Sequence, residues 1–492
     1  MNKNDLTLEE LLIAAKKSKD FTRIERSING TKIYLSYFNT LVDHEIIQKS
    51  LLPYLNSPFL KNIDDISDKL PIEDITFTED VNEIYLKLYK GHVILQNEHS
   101  PNECILLNIH NATLGLRQNN DAENEFSVIG PKVGFVEDLD TNLNLLRRKV
   151  NSQKLIIEEM IIGNMSKTRV AIVYLDGITN EQHINTVRER LKNLNFDIIW
   201  DTSVLEQIIR DHKHTPFPLL LSTERIDRIV YTLVNGQVTI FSDGSPNAIS
   251  GPATLLDFFI SPEDYYLNWV LGSFFRVIRI LGILFSVFSS SIYVAVLTFH
   301  YEVIPKDLLG PLIESRANVP FPPVLEVLFL ETTIELLREA GARLPTKVGQ
   351  TLGIVGGIVI GQAAVAAALT SNVLLIIVSL SALASFTTPI IVMGNTIRIL
   401  RFFFIVFSAF LGGFGIIIGI MFLLGHLFRL KSLGSPYIVP LYPFRRNSLA
   451  DSFIRSPLST LNKRAPYLRP KQLMKFYVKE MRIHKGDLND EE

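Results

Sequence analysis

The ionisable side chains most able to do chemistry lie in a C-terminal half that is otherwise apolar. Between positions 325 and 340, polar residues recur at the spacing of one helical face. They are Glu331, Thr332, Glu335, Arg338 and Glu339. Carboxylates repeated by several subunits around an axis attract cations, so this polar stripe predicts the vestibule of a cation pore, with Glu331, Glu335 and Arg338 as candidates. The alternative is an interface helix with a solvated Glu335–Arg338 or Glu331–Glu335–Arg338 face. The segment is too short and too charged to span a membrane alone, so we expect it to be re-entrant or interfacial.

Small residues follow the polar stripe at regular intervals. Glycines recur at every fourth position, a spacing that lets helix backbones approach closely. They are Gly349, Gly353, Gly357 and Gly361. The next residues have small side chains and one amide, which in a symmetric oligomer would form a narrow constriction that gates by dewetting. Gln362, Ala364 and Val365 are therefore candidate pore residues.

Long uncharged runs must carry these residues through a membrane. Residues 348–397 contain no Asp, Glu, Lys or Arg. As a helix they would reach about 75 Å at ~1.5 Å per residue, against a bilayer core of roughly 30 Å, so we expect two crossings with a turn at Ser371-Asn372. Residues 280–299 and 402–428 add one crossing each, which makes four spans. Pro389 is expected to end or kink the third span, and His426 to be a hydrogen-bonded residue rather than a sensor.

Charge predicts the topology. Residues 429–485 hold thirteen Lys and Arg and only two acidic residues, so the positive-inside rule puts this tail in the cytoplasm. Arg276 and Arg279 precede the first span and place the soluble half on the same side. Residues 1–25 are charged throughout and lack an apolar run, so no signal peptide is expected. Some basic residues fall on the outer side of the four-span arrangement, namely Arg343, Lys347, Arg398 and Arg401.

Composition and motifs argue against several classes of protein. The formal net charge is −2 and 20% of residues are charged, an average that conceals a polar N-terminal half and an apolar C-terminal half. The single cysteine, Cys104, allows no internal disulfide and no cysteine metal cluster, and it fits a reducing compartment. No P-loop, H-E-x-x-H, EF-hand loop or nucleophile elbow is present, so we expect neither an enzyme nor a cofactor. A secondary transporter is an alternative, although it usually has more spans and an inverted repeat.

The soluble half contains an internal repeat. Segments 83–102 and 227–247 each predict an amphipathic helix, a glycine, a β-branched strand and then Ser-Pro-Asn. The glycines, Gly91 and Gly236, suit helix C-termini, and Ser-Pro-Asn suits a hairpin turn. We therefore predict an α+β membrane protein in which two related α/β subdomains precede an α-helical membrane domain. The predicted domains are a helical or flexible segment (1–60), the two subdomains (60–150 and 151–270), the transmembrane domain (275–430) and a basic cytoplasmic tail (431–492).

Several ordered blocks of residues between about position 60 and position 445 form a recognisable pattern. The soluble blocks include Gly130-Pro131, Gly134-Phe135-Val136-Glu137, Pro216-Phe217-Pro218, Ser222-Thr223-Glu224-Arg225 and Asp243-Gly244-Ser245-Pro246. The membrane blocks include Val319-Pro320-Phe321-Pro322-Pro323, Glu335-Leu336-Leu337-Arg338-Glu339-Ala340-Gly341, Gly353-Ile354-Val355-Gly356-Gly357, Gly361-Gln362-Ala363-Ala364-Val365 and Ser435-Pro436-Tyr437. Together they resemble the A subunit of GerA-type spore germination receptors. Lys132-Val133 departs from the Arg-Glu expected of the family, and Ala366 stands where a polar or acidic residue is frequent.

The resemblance implies a subunit of a germinant receptor in the inner membrane of a dormant spore. Such an A subunit works beside a transporter-like B subunit that binds the nutrient and a lipoprotein C subunit, in contact with membrane lipid. The resemblance also implies a homo-oligomer, a pentamer, that forms a ligand-gated ion channel and releases cations at germination. A signalling scaffold of the same receptor without its own pore is the alternative, and no nucleic acid partner is implied.

Overall fold

Two antiparallel five-stranded sheets form the N-terminal half of the protein. The computed structural model describes residues 7–28, 31–55, 70–72, 74–98, 100, 102–111, 129–343, 357, 359–445 and 451–475. The first sheet has the order β1-β2-β4-β5-β3 and the second has the order β6-β7-β9-β10-β8. The strands are β1 (Phe21–Ile28), β2 (Thr31–Phe38), β3 (Ile75–Thr78), β4 (His92–Asn97), β5 (Cys104–Asn108), β6 (Leu155–Ile162), β7 (Thr168–Leu175), β8 (Leu221–Thr223), β9 (Val238–Ser242) and β10 (Ala248–Gly251).

Helices cover the faces of these sheets. They are α1 (Leu8–Ala15), α2 (Val81–Leu88), α3 (Leu139–Lys149), α4 (Glu181–Lys192), α5 (Thr202–Ile209) and α6 (Ile226–Asn235), with shorter helical turns at His44–Ile46, Ile47–Leu51, Leu52–Leu55 and Leu255–Phe259. Most begin at a side-chain cap, as when Asp138 accepts a hydrogen bond from the Thr141 amide at 2.7 Å at the start of α3. We call the first sheet with its helices unit 1 (7–111) and the second unit 2 (129–260).

The helix, glycine and strand predicted in each repeat are confirmed. Helix α2 leads through Gly91 into β4, and α6 leads through Gly236 into β9. The φ angles of the two glycines are 92° and 100°, in the left-handed region that a side chain rarely enters. Because both sheets also share one strand order, the two units have the same topology.

The predicted boundary at residue 60 lies inside unit 1. Strands β1 and β2 come from residues 21–38 and pair along their whole length, with Phe21 opposite Phe38, and β2 continues the sheet through β4. Residues 1–60 are predicted above as a separate helical or flexible segment. Ile33 and Leu35 of β2 are instead buried in the core of unit 1, because β2 pairs with β4 of the same sheet.

The two units are joined by a buried ion pair. Arg147 of α3 in unit 2 lies 2.8 Å from the Asp20 carboxylate of unit 1, and the two side chains are 0% and 1% exposed. Ser18 and Thr40 complete the contact, since Thr40 donates to Asp20 at 2.8 Å and Arg147 donates to Ser18 at 2.9 Å. Unit 1 is therefore fixed to unit 2 at this point.

The C-terminal half is a bundle of helices. They are α7 (Glu263–Tyr266), α8 (Trp269–Phe299), α9 (Lys306–Arg316), α10 (Pro323–Arg343), α11 (Asn372–Ser385) and α12 (Ile391–Arg429), and residues 359–366 are also helical. By length and composition, α8 and α12 are long and apolar enough to cross a membrane. The short strands β11 (Lys431–Ser432) and β12 (Ser435–Pro436) follow, and the described tail ends with a helical turn at Pro466–Leu468.

Helix α12 is a hairpin, because the chain reverses at Gly412. That residue has φ 61° and ψ −136°. A Cβ atom built on Gly415 would lie 2.0 Å from the Phe407 carbonyl oxygen, whereas a straight helix would separate these residues by about 12 Å along its axis. Gly419 similarly faces the Phe404 ring at 2.8 Å. The single crossing predicted for residues 402–428 is therefore wrong, because an apolar run carries no charge to mark a reversal.

Contacts with α8 give the direction of the first arm of α12 (391–411). Ser286 of α8 contacts Arg401, and Phe299 at the end of α8 contacts Gly412 at the hairpin tip. Residue numbers rise in both helices from the first of these contacts to the second, so this arm runs parallel to α8. The second arm (413–429) runs in the opposite direction.

Helices α10 and α11 run antiparallel to α8. In α11, Ser371 contacts Tyr293 and Ser381 contacts Ser286, so residue numbers rise in one helix as they fall in the other. Ser371 caps α11, which confirms the predicted turn there, and Pro389 lies in the break between α11 and α12 as expected. Helix α10 packs against α8 and α11 through Val327 and Leu330, and its re-entrant or interfacial position stays a prediction.

Candidate functional site

The interior of the bundle contains an ion pair between α10 and α12. Glu331 and Arg401 approach within 2.5 Å, and their side chains are 0% and 1% exposed. Ser290 of α8 donates to the free carboxylate oxygen at 2.6 Å, and Arg401 donates to the Ser286 carbonyl at 2.9 Å and to its hydroxyl at 2.6 Å. We call these four residues the buried charge cluster. Ions in such an apolar setting are stable only when they are paired and hydrogen-bonded.

The polar stripe of α10 is therefore divided between two environments. Glu331 lies inside the bundle, so its predicted position on a solvated face of the protomer is corrected. Thr332 and Glu339 are exposed. The spacing of the stripe could not show this division, because the buried face is selected by Arg401, which is distant in sequence.

Glu335 lies one turn further along α10 in a partly buried group. It contacts Arg398 of α12 at 3.0 Å and Arg338 at 3.4 Å, so the expected Glu335–Arg338 pair is present. Arg338 also donates to Ser385 at 3.0 Å and lies 4.3 Å from the centre of the Phe386 ring. One carboxylate thus serves two guanidinium groups, and the local charge is positive in this arrangement.

A third carboxylate on α10 is buried near the far end of the bundle. Glu326 is 0% exposed and lies 2.7 Å from Arg316 of α9. Its other oxygen accepts from the Ser371 amide at 3.3 Å. Glu326 lies off the polar stripe, but like Glu331 it is buried and paired, so it is unsuitable as a neutral control for Glu331.

Charged residues also fix the end of the bundle nearest unit 2. Asp264 of α7 lies 3.1 Å from Arg276 and 3.0 Å from Arg279, both on α8. Arg276 reaches Asp451 of the tail at 3.2 Å and is fully buried. Arg276 and Arg279, which precede the first predicted span, therefore also hold α8 against the soluble half.

The small-residue segment is described only in part. Gly349 and Gly353 lie outside the described residues. A Cβ built on Gly361 would lie 3.5 Å from the Leu375 methyl groups of α11, which is an ordinary contact, and one built on Gly357 would have no atom within 4 Å. Ala364 is buried, Val365 is partly buried and Gln362 is exposed on the protomer. His426 is hydrogen-bonded to Thr215 at 2.9 Å, as expected.

Several of these residues were missed by sequence reasoning. Arg316, Arg398 and Arg401 are isolated cations near or within apolar segments, which was the available signal, and two of them were considered only as exceptions to topology. Ser286 and Ser290 had no signal, since serine is common in apolar helices. In the described part of the chain, no group of three or more His, Cys, Asp or Glu residues could hold a metal ion.

Known proteins are similar to this chain in sequence. The family described as Bacillus/Clostridium GerA spore germination protein matches residues 9–467. Spore germination protein GerQA of Bacillus cereus is 46% identical over 97% of this chain and 96% of its own length. Spore germination protein A1 of Bacillus subtilis (strain 168) is 38% identical over 90% of this chain and 92% of its own length.

A solved structure is also similar. The N-terminal domain of the A subunit of the Bacillus megaterium spore germinant receptor GerK3 is 28% identical, with a TM-score of 0.38, and the match covers 51% of this chain and 96% of that one. The family match spans nearly the whole sequence, and the relatives are matched over almost their full length. This chain therefore belongs to the GerA family of spore germination proteins.

Proposed function

We propose that this protein is the A subunit of a spore germinant receptor and that it forms a nutrient-gated cation channel as a homo-oligomer, a pentamer. It acts in the spore inner membrane beside a B subunit that binds the nutrient and a lipoprotein C subunit. Family membership supports the role in germination. The channel, the oligomer and the partners are the further steps of the proposal.

The observation that carries the channel is a contrast between two exposed faces of the bundle. Helix α8 exposes large apolar side chains, among them Phe274 (57%) and Leu281 (59%), as a lipid-facing helix does. The helical segment 359–366 exposes Val359 and Ile360 at its start, but it then exposes Gln362 and Ala363. An amide and small side chains are unsuited to contact with lipid. They suit the axis of an oligomer, where a narrow uncharged ring can gate by dewetting.

Carboxylates of α10 provide the electrostatics of the proposal. Glu335 and Glu339 lie on the accessible side of the helix, and Glu335 is held by Arg338 and Arg398. In this arrangement two guanidinium groups outweigh one carboxylate, and the positive local charge opposes cation entry. A rotation of α10 that separated Glu335 from Arg398 would remove one positive charge from this group in every subunit. We assign Glu331 to holding the bundle together instead of to the pore.

The helix directions support a membrane path with more crossings than four. Three segments run in one direction, namely α8, 359–366 and the first arm of α12. The other three, α10, α11 and the second arm of α12, run back. The start of α8 and the end of α12 therefore both lie beside unit 2. Both termini are then cytoplasmic. Arg343 and Arg398 fall at the same end as Arg276, which removes two of the four exceptions to the positive-inside rule.

Replacing Val365 tests the channel. Val365→Ala widens the proposed constriction, so spores should release cations without nutrient, and the purified protein should pass cations in liposomes. Val365→Phe should reduce the flux. Val392→Ala on α12 is the control, because Val392 is an exposed apolar residue (47%) outside the proposed constriction.

The competing functions give different results in the same assay. A transporter would show saturable flux coupled to a substrate and no constitutive leak. A scaffold without a pore would show no flux in liposomes from any variant. Equal cation release from Val365→Ala and Val392→Ala, at equal abundance, would refute the proposed constriction.

A further inference from the structure

A cavity of about 640 Å³ lies between unit 2 and the tail, outside the buried charge cluster. Helix α6, the segment leading into α8, and residues 451–475 form its walls. Its lining includes Tyr231, Tyr265, Tyr467, Asp257 and Lys475. It is a candidate ligand site that the proposed channel does not use.

The tail wall of the cavity is held in place by hydrogen bonds. Arg464 donates to the Val234 carbonyl of α6 at 2.6 Å and to the Gln472 carbonyl at 2.9 Å. The Lys475 amide donates to the Asn462 carbonyl at 2.7 Å. This wall is therefore preformed, which reduces the ordering cost that a ligand would bear.

The three acids on the walls already have partners. Asp257 accepts from the Thr254 amide at 2.8 Å and from the Tyr467 hydroxyl at 3.3 Å. Asp451 accepts from the Tyr265 hydroxyl at 2.7 Å and lies 3.2 Å from Arg276. Asp227 lies 2.7 Å from Arg225. These carboxylates are satisfied within the chain and do not need a cationic ligand.

Lys475 differs from these acids. Its ammonium lies 5.4 Å from the centre of the Tyr231 ring, and among the described residues it forms no ion pair with a carboxylate within 4.0 Å. Burial lowers the pKa of Lys475 to about 8, Asp451 raises it and Arg464 lowers it further. An anion beside the ammonium would remove this penalty.

The rings beside Lys475 provide an apolar surface. Tyr231 and Tyr265 lie 5.1 Å apart with their planes at 33°, and Tyr231 is 39% exposed. Their hydroxyls are 3.0 Å apart, and because Tyr265 donates to Asp451, Tyr231 must donate to Tyr265. Lys475 and Tyr265 already contact the Tyr231 ring, so the exposed part of Tyr231 beside the ammonium is the apolar surface that remains for a ligand.

We propose that this cavity binds a small aromatic carboxylate, whose anionic group pairs with Lys475 and whose ring packs against Tyr231. The site is independent of the proposed channel. The cavity lies at the junction of unit 2 and the bundle. Asp451 on its wall pairs with Arg276 at the start of α8, and Tyr265 donates to Asp451 and packs its ring against Arg276.

Calorimetric titration of the full-length protein in detergent tests the site. Benzoate should bind, whereas benzyl alcohol, which has no charge, and benzylamine, which has the opposite charge, should bind at least about tenfold more weakly. Lys475→Gln should weaken benzoate binding at least about tenfold, and Lys475→Arg should retain it. Lys471→Gln is the matched control, because Lys471 is an exposed tail residue paired with Glu181.

The pH dependence separates a charge effect from a structural one. Binding of benzoate should weaken as pH rises through about 8, because the Lys475 ammonium loses its proton. The Lys475→Arg variant should lack this dependence, since an arginine stays charged. Thermal unfolding of each variant shows whether it is folded. Equal binding of benzoate and benzyl alcohol, stronger binding of benzylamine, or equal effects of Lys475→Gln and Lys471→Gln in folded proteins would overturn the proposal.

Discussion

Units 1 and 2 have the same strand order but different surroundings. Unit 2 carries the bundle and the tail: Thr396 of α12 donates to the Pro216 carbonyl at 2.6 Å, and Ser432 donates to the Leu219 carbonyl at 2.5 Å. Unit 1 is joined to unit 2 through Arg147 and Asp20. The same topology therefore supports the bundle in unit 2, whereas in unit 1 it forms a module attached to unit 2.

The largest expected effect comes from breaking the joint between the units. Arg147→Met leaves Asp20 as an unpaired buried carboxylate, which should lower the free energy of unfolding by about 3–5 kcal/mol. Differential scanning calorimetry of the full chain in detergent, at constant protein concentration, would measure it. A double variant that also replaces Asp20 with Leu should recover much of the loss, and a single variant as stable as the native chain would contradict the prediction.

The repeated glycines sharpen the comparison. A Cβ on Gly91 would lie 2.7 Å from both the His110 Cβ and the Leu41 carbonyl oxygen, whereas on Gly236 the nearest atom is 3.6 Å away. Gly91→Ala should therefore cost about 2–4 kcal/mol, from backbone strain plus overpacking. Gly236→Ala should cost about 1–2 kcal/mol from strain alone. Urea unfolding of both variants measures the difference, and equal losses would show that the two sites are equally tight.

Both units contain a buried histidine that should make stability depend on pH. Burial lowers the pKa of His92 in unit 1 and of His183 in unit 2 below 6.5. The unfolded chain binds these protons more readily, so stability is complete above about pH 6.5 and falls below it, by up to about 1.4 kcal/mol per pH unit for each histidine. Thermal unfolding at pH 7.5 and 5.5 should show a smaller acid loss for His183→Leu than for the native chain, and an unchanged loss would exclude His183.

The smallest effect concerns a second link between the units. Lys17 of α1 lies 3.3 Å from Asp176, but the side chains are 60% and 47% exposed. Lys17→Ala should change the free energy of unfolding by less than about 1 kcal/mol, because water screens an exposed pair. Chemical unfolding beside Arg147→Met provides the comparison. An effect as large as that of Arg147→Met would mean that exposure does not distinguish the two links.

Features predictable from the sequence were those encoded locally. Gly91 and Gly236 were identified by their place between a helix and a strand, and Ser371 by its polarity within an apolar run. The partner of Glu331 was not predictable, because Arg401 is brought to it by the packing of α8, α10 and α12. The reversal at Gly412 was missed for a related reason, since the contact that favours it is the Phe299 side chain at the end of α8.

The hairpin at Gly412 has a mechanical consequence. It returns the chain to the side of the bundle where α8 began, and within a few residues Ser432 is bonded to unit 2. Unit 2 therefore holds the bundle at three places, through Asp264 and Arg276, through Pro216 and Thr396, and through Leu219 and Ser432. A tilt of the bundle against unit 2 must break at least one of these contacts, so a movement of unit 2 is passed to the bundle as a whole.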